Sequence, residues 1–226
     1  MRAAKKHDRR MTIGGSEVAA VLGLSPWQSP LDVYMRKIGE QPEQEPTDAM
    51  RWGCLLEDLV AREWADRNDR NIERCNHALL HDALPISAHL DRLVLPPGKH
   101  RRALVGNKLA NGTEILEVKT ARSAANWGES GGDEIPLYYQ TQVQTYLGIT
   151  GAEVCHVAVL ISGSDYRQYV IRRDDEVIER MFREVSDWWQ RHVVQRVAPP
   201  PRTADEALAM FPSSTDRRVV ATVEAE

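Results

Sequence analysis

Cysteine is scarce in this chain: three in 226 residues, Cys54, Cys75 and Cys155, with no C-x-x-C spacing. That scarcity argues against a zinc site, an iron–sulfur cluster or a disulfide framework, and it suits a reducing cytosol. Long apolar runs are missing too. Nothing approaches the roughly 18 residues of a membrane span. The basic start resembles the n-region of a secretory signal, but Glu17 and neighbouring glycines interrupt any apolar run after it, so no leader is expected. Overall basic charge is also absent, with 29 Lys and Arg against 33 Asp and Glu, a net charge of −4. Nucleic-acid-binding domains are usually basic, so a face for such a partner has to be local. Two stretches offer one: Arg2, Lys5, Lys6, Arg9 and Arg10 at the start, and Lys99, His100, Arg101, Arg102 and Lys108 in a later insert. Each reads equally as solvated charge.

What is present describes a soluble globular chain, 42% hydrophobic and 27% charged. Its length fits one domain over 1–226, with an N-terminal helical segment (about 1–45), a core (about 46–195) and a tail (about 196–226). No internal repeat stands out. A short helix is expected over Glu17–Leu22, stopped by Gly23, and another from the Ser29-Pro30 cap to about Lys37. After a polar loop at 40–47, a long helix runs from Thr47 or Asp48 to about Arg67, with Trp52, Leu55, Leu56, Leu59 and Val60 on one stripe. Strands follow near 71–76, 85–95 and 113–119, the last two separated by Pro96-Pro97-Gly98 and the basic insert, read as a hairpin excursion. Then come a helix over Leu137–Leu147, strands at Val154–Ile161 and Tyr166–Ile171, an amphipathic helix from Asp174 to about Val194, and a short helix over Ala204–Met210. This order predicts an α/β (α+β) fold, a central mixed sheet flanked by helices.

The chemistry gathers at Glu117-Val118-Lys119, which ends the apolar run Ile115-Leu116. Alternation along a strand puts Ile115, Glu117 and Lys119 on one side and Leu116 and Val118 on the other. An E-x-K pair alone reads as readily as an exposed strand face. Upstream, Asp91 follows Ile86-Ser87-Ala88-His89-Leu90 and precedes Leu93-Val94-Leu95. Two carboxylates and an ammonium on a sheet edge are what a divalent metal and an activated water require. The pattern resembles the PD-(D/E)-x-K nuclease fold, in which an Asp and a D/E-x-K pair meet where a sheet splays. There Asp91 and Glu117 would hold one or two Mg²⁺ ions (Mn²⁺ substituting), the Val118 carbonyl completing the shell. Lys119 would orient or activate the attacking water.

Further blocks narrow the resemblance. Residues 9–27, Arg-Arg-Met-Thr-Ile-Gly-Gly-Ser-Glu-Val-Ala-Ala-Val-Leu-Gly-Leu-Ser-Pro-Trp, Trp52-Gly53-Cys54-Leu55-Leu56-Glu57, and Tyr138-Tyr139-Gln140-Thr141-Gln142-Val143-Gln144, with Thr150-Gly151 after it, occur in that order. They are similar to blocks of the YqaJ-type viral recombinases, relatives of phage lambda exonuclease. The resemblance implies that Glu57 is a further active-site acid, against the alternative of a surface charge. It implies that Arg9, Arg10 and Ser16 grip a DNA 5′-phosphate, Ser16 reading otherwise as a helix N-cap. Gln142, one turn before Tyr146, is favoured for the site, and Gln144 is kept beside it. Trp27 is either a DNA contact near the mouth where DNA enters or core. Arg92, Arg101 and Arg102 are further DNA-contact candidates. Where this family usually has proline before the Asp and glycine after it, this chain has Leu90 and Arg92. The implied activity is a Mg²⁺-dependent 5′-to-3′ exonuclease on linear double-stranded DNA, a ring-shaped homotrimer leaving 3′ single strands for an annealing protein. The alternatives are a restriction-like endonuclease and an inactive DNA-end-binding protein. Cytoplasmic residence and no membrane partner are expected.

Overall fold

The computed structural model describes residues 8–41, 45–98, 104–105 and 108–210. After a 3₁₀ turn at Arg9–Met11, strand β1 (Ile13–Gly14) leads into helix α1 (Gly15–Val21). Here the Glu17 carboxylate accepts the Gly14 N–H at 2.8 Å, closing the first turn. Helix α2 (Pro30–Ile38) starts on a reciprocal cap between Ser29 and Asp32 and ends at Gly39, whose φ of 84° suits glycine. Helix α3 (Asp48–Asn68) is capped by the Thr47 hydroxyl. Short strands follow: β2 (Ile72–Arg74), β3 (Leu79–Leu80), β4 (Ile86–Ala88), β5 (Arg92–Val94), then the hairpin β6 (Leu104–Val105) and β7 (Lys108–Leu109). The long strand β8 (Glu114–Ala121), helix α4 (Leu137–Thr150), strands β9 (Val154–Ile161) and β10 (Asp165–Arg172), and helices α5 (Asp175–Trp188) and α6 (Ala204–Met210) complete the chain.

The main sheet has the order β10-β9-β8-β5-β2, with β8 and β9 parallel and the other neighbours antiparallel. A parallel pair needs a crossover, and α4 supplies it. A second sheet, β1-β4-β3, lies beside it. One face of the main sheet, carrying Ile115, Val157 and Val159, packs with α1, α4 and α5 through Val18, Val143, Leu147, Ile178 and Val185. The other face, carrying Leu116, Val118 and Ala158, receives Val60, Ala61 and Trp64 of α3. This is the expected mixed sheet flanked by helices.

Two expectations are corrected. The strand expected over 85–95 is two strands in different sheets, because β4 leaves to pair with β1 (Ile13 opposite Ile86) while β5 pairs with β8. The α3 stripe is also displaced, with Trp52, Leu55 and Leu59 all more than half exposed and Val60, Ala61 and Trp64 buried. The buried face is turned about the helix axis, with Val60, Ala61 and Trp64 on the side that meets Leu116, Val118 and Ala158.

Candidate active site

Alternation along β8 places a carboxylate where the core would otherwise take an aliphatic side chain. Glu117 is 2% exposed. Its Oε1 accepts from Lys119 Nζ at 2.5 Å and from Gln142 Nε2 at 2.7 Å. Its Oε2 is buried with no hydrogen-bond partner among the described residues. Asp91 sits where β5 parts from β8, since their pairing stops at Arg92 opposite Leu116. Asp91 Oδ2 accepts the Val118 N–H at 2.8 Å. In an extended strand a residue's N–H and C=O leave by the same edge, so the Val118 carbonyl exits toward Asp91.

The charges are crowded. Burial, reinforced by Asp91, pushes the Glu117 carboxyl up to about 8 against the pull of Lys119. Burial likewise raises Asp91, partly offset by Lys119 and the Val118 N–H. For Lys119, burial works to lower the ammonium's pKa, but Glu117 and Asp91 outweigh it and hold it above its ordinary value. The group therefore retains a proton at neutral pH that a divalent cation would displace. Two carboxylates, one of them with an unpartnered buried oxygen, and a backbone carbonyl are the hard oxygen donors that Mg²⁺ or Mn²⁺ takes. The residues present fit such an ion. Among the described residues no group of three or more His, Cys, Asp or Glu side chains converges, so the acids here are a pair.

Gln142 and Gln144 part company. The Gln142 amide bridges Glu117 and the Tyr146 hydroxyl, the latter at 2.7 Å. Gln144 faces elsewhere, donating to the Arg172 carbonyl at 2.7 Å and accepting the Asp174 N–H at 3.1 Å. Gln142→Ala is expected to lower turnover by roughly 10- to 100-fold, as loss of an orienting partner does. Gln144→Ala is expected to spare turnover and cost about 1–2 kcal/mol of stability; turnover and urea melts of both variants check this.

Sequence reasoning missed the support behind Gln142. A Cβ on Gly15 would lie 2.5 Å from Tyr146 Cε1, so α1 approaches α4 only because residue 15 is glycine. Gly15→Ala is expected to cost about 1–3 kcal/mol and to reduce activity by displacing Tyr146 from Gln142. A thermal melt and a turnover assay measure the two effects. The signal was the Gly14-Gly15 pair, read only as an interruption of an apolar run. Also unforeseen is buried Lys37, whose Nζ donates to Glu17 Oε2 at 2.6 Å and to the Arg9 carbonyl at 2.8 Å, fixing the N-terminal backbone.

A cleft of about 940 Å³ opens at this site, and Lys119 and Gln142 share its lining with Arg9, Arg10, Ser16, Trp27, Tyr138 and Tyr139. Gly14, not Ser16, occupies the N-cap position of α1. Arg10 is paired with Asp8 at 3.0 Å. Trp27 is not core: it is 64% exposed and meets the Tyr138 ring edge-on, 4.5 Å between centroids. Lys119 Nζ stands over the Tyr139 ring at 4.9 Å. Arg92 departs from the expectation of a DNA contact. Its side chain is 3% exposed, because its register opposite Leu116 turns it beneath α3, where Glu57 and Asp58 engage it. Glu57 is thus bound to Arg92, and its charge also acts on Asp91, helping to raise that carboxyl. Arg101 and Arg102 lie outside the described residues.

A curated protein of Bacillus subtilis (strain 168), YqaJ, itself uncharacterized, is 37% identical over 196 residues. The match takes in 85% of this chain, which spans only 56% of that relative's length. Among solved structures, an alkaline exonuclease (LHK-Exo) of Laribacter hongkongensis superposes with a TM-score of 0.60 at 18% identity, covering 83% of this chain and 90% of that one. The same exonuclease in complex with dAMP gives 0.55 at 17% identity, over 83% and 96%. A phage-related exonuclease of Haemophilus somnus 129PT gives 0.54 at 9% identity, over 82% and 96%. At such identities the likeness concerns the fold alone, a mixed sheet flanked by helices. The model of the YqaJ-like viral recombinase domain matches residues 6–153, which hold Asp91, Glu117, Lys119 and Gln142, and the chain belongs to that family.

Proposed function

We propose that the chain is a metal-dependent deoxyribonuclease working from DNA ends. In full, it degrades linear double-stranded DNA 5′ to 3′, releases 5′-mononucleotides and leaves a 3′ single strand for an annealing protein. The observation that carries this reading is half-buried Asp91 beside buried Glu117, together with Lys119, set behind a cleft large enough for a nucleotide. Similarity to structures described as exonucleases, one of them with dAMP, supports it.

Asp91, Glu117 and the Val118 carbonyl would hold Mg²⁺, or Mn²⁺ in its place. When bound, the ion supplies Lewis-acid polarisation of the phosphate and a lowered pKa for water. Gln142 and Lys119 occupy Glu117 Oε1, which leaves Oε2 as the free donor. Lys119, steadied over Tyr139, orients the attacking water and offsets charge developing on the phosphate. Arg9, Arg10 and Ser16 bind the terminal 5′-phosphate, arginine supplying paired N–H donors. Exposed Trp27 stacks on a base. Local charge on a ring-shaped trimer's channel lets an acidic chain hold DNA, and the reaction takes place in the cytoplasm of a bacterial or phage-infected cell. Among the described residues no helix is long and apolar enough to cross a membrane.

The test uses linear duplexes labelled at the 5′ or the 3′ end, and a covalently closed circle, with Mg²⁺. Early release of labelled 5′-mononucleotides with the circle intact is expected. Cutting of the circle would replace the exonuclease with an endonuclease, and earlier release of the 3′ label would reverse the polarity.

A further inference from the structure

At the splay between β5 and β8, the Asp91 carbonyl lies just beyond the last paired residue of β5. A side chain takes the place of the strand partner. Arg92 Nη1 donates to the Asp91 carbonyl at 2.6 Å and to Glu57 Oε1 at 2.5 Å. Its Nη2 donates to Asp58 Oδ1 at 3.1 Å. The guanidinium is buried, while both carboxylates are about one-third exposed at the edge of α3. Asp58 is shared with Arg62 and with Arg74, the latter at 2.9 Å, so Glu57 is the acid left chiefly to Arg92. A guanidinium spreads its N–H donors over separate nitrogens in a rigid plane, so Nη1 and Nη2 reach acceptors too far apart for one nitrogen. An ammonium concentrates its three donors on one nitrogen and does not span them.

We propose that Arg92 is a positioning residue of the metal site: its guanidinium ties α3, through Glu57 and Asp58, to the backbone of Asp91, and Glu57 serves this clamp rather than the ion. Adjacent residues on an extended chain face opposite ways. Arg92 therefore points beneath α3 while Asp91 turns its carboxylate to Val118 and Glu117. Fixing the Asp91 carbonyl from behind fixes the carboxylate in front. The inference rests on the proposed metal site and names what holds it.

Mn²⁺ binding to the DNA-free protein, followed by calorimetry at pH 8, tests it on wild type, Arg92→Lys, Arg92→Gln and Glu57→Gln, with a melt of each. Arg92→Lys keeps the charge and loses the fork, so its Mn²⁺ dissociation constant is expected to rise about tenfold or more. Arg92→Gln removes a nearby cation, which by itself favours ion binding; weaker binding there reports lost positioning. Glu57→Gln keeps an oxygen for Arg92 and is expected to bind the same number of ions with nearly wild-type affinity. Arg92→Lys and Arg92→Gln binding Mn²⁺ as tightly as wild type, or Glu57→Gln losing a bound ion, would overturn the proposal. A wild type that binds no Mn²⁺ overturns the metal site itself and the clamp with it, whereas unchanged Arg92 variants beside an active, Mn²⁺-binding wild type overturn the clamp alone.

Discussion

Lys119→Ala is expected to slow nucleotide release from linear duplex by about 100-fold or more, the scale of removing one preorganised donor from developing negative charge. The variant should remain folded. Lys119 contributes to the native state by donating to Glu117 Oε1 at 2.5 Å. Without it, Glu117 loses the pull that Lys119 exerts against protonation, and it stays a neutral acid. A neutral carboxyl is far cheaper to bury than an unpaired carboxylate. Gln142 continues to hold Oε1. Single-turnover rates in saturating Mg²⁺, beside a thermal melt, separate the two effects. A wild-type rate would remove Lys119 from the chemistry.

Glu117→Gln should lose activity at least as severely, yet gain stability in the metal-free protein. Folded, the Glu117 carboxyl keeps its proton up to about pH 8; unfolded, it loses it near 4.5. Between those values the folded chain binds the extra proton, so stability falls as pH rises. Its contribution is fully present below 4.5 and is gone once pH passes about 8. Asp91, raised in the same sense, adds to the slope. The metal-free protein is therefore expected to lose on the order of a few kcal/mol of stability from pH 5 to pH 8, read as a falling melting temperature. A divalent cation replaces the proton, so Mn²⁺ should raise the melting temperature more at pH 8 than at pH 6. Glu117→Gln should flatten the pH slope and blunt the response to Mn²⁺. Parallel pH slopes for the two proteins would contradict the account.

The facing of the site was readable because it follows a local rule. Period-two alternation on β8 sends Glu117 to one core and Leu116 and Val118 to the other, as observed. The 3.6-residue turn of α4 set Gln142 beneath Tyr146 and away from Gln144. What Gln144 binds was not readable, because Arg172 and Asp174 reach it from strand and helix about 30 residues on. Arg92 was misjudged for a similar reason. Its burial follows from the break between β4 and β5, which depends on Ile13 pairing with Ile86 far along the chain. Which side of α3 is buried was not readable either, because Val60, Ala61 and Trp64 are chosen by Leu116, Val118 and Ala158 far along the chain.

The most direct test of the metal centre compares wild type with Asp91→Asn for Mg²⁺-dependent release of acid-soluble nucleotides from linear duplex, with folding checked by circular dichroism. Asp91→Asn removes a proposed ligand while keeping an oxygen for the Val118 N–H. The account predicts a folded variant slower by more than the roughly 100-fold that supporting residues contribute, and a wild type silenced by EDTA. Equal rates in the two proteins, or wild-type activity that persists in EDTA, would contradict it.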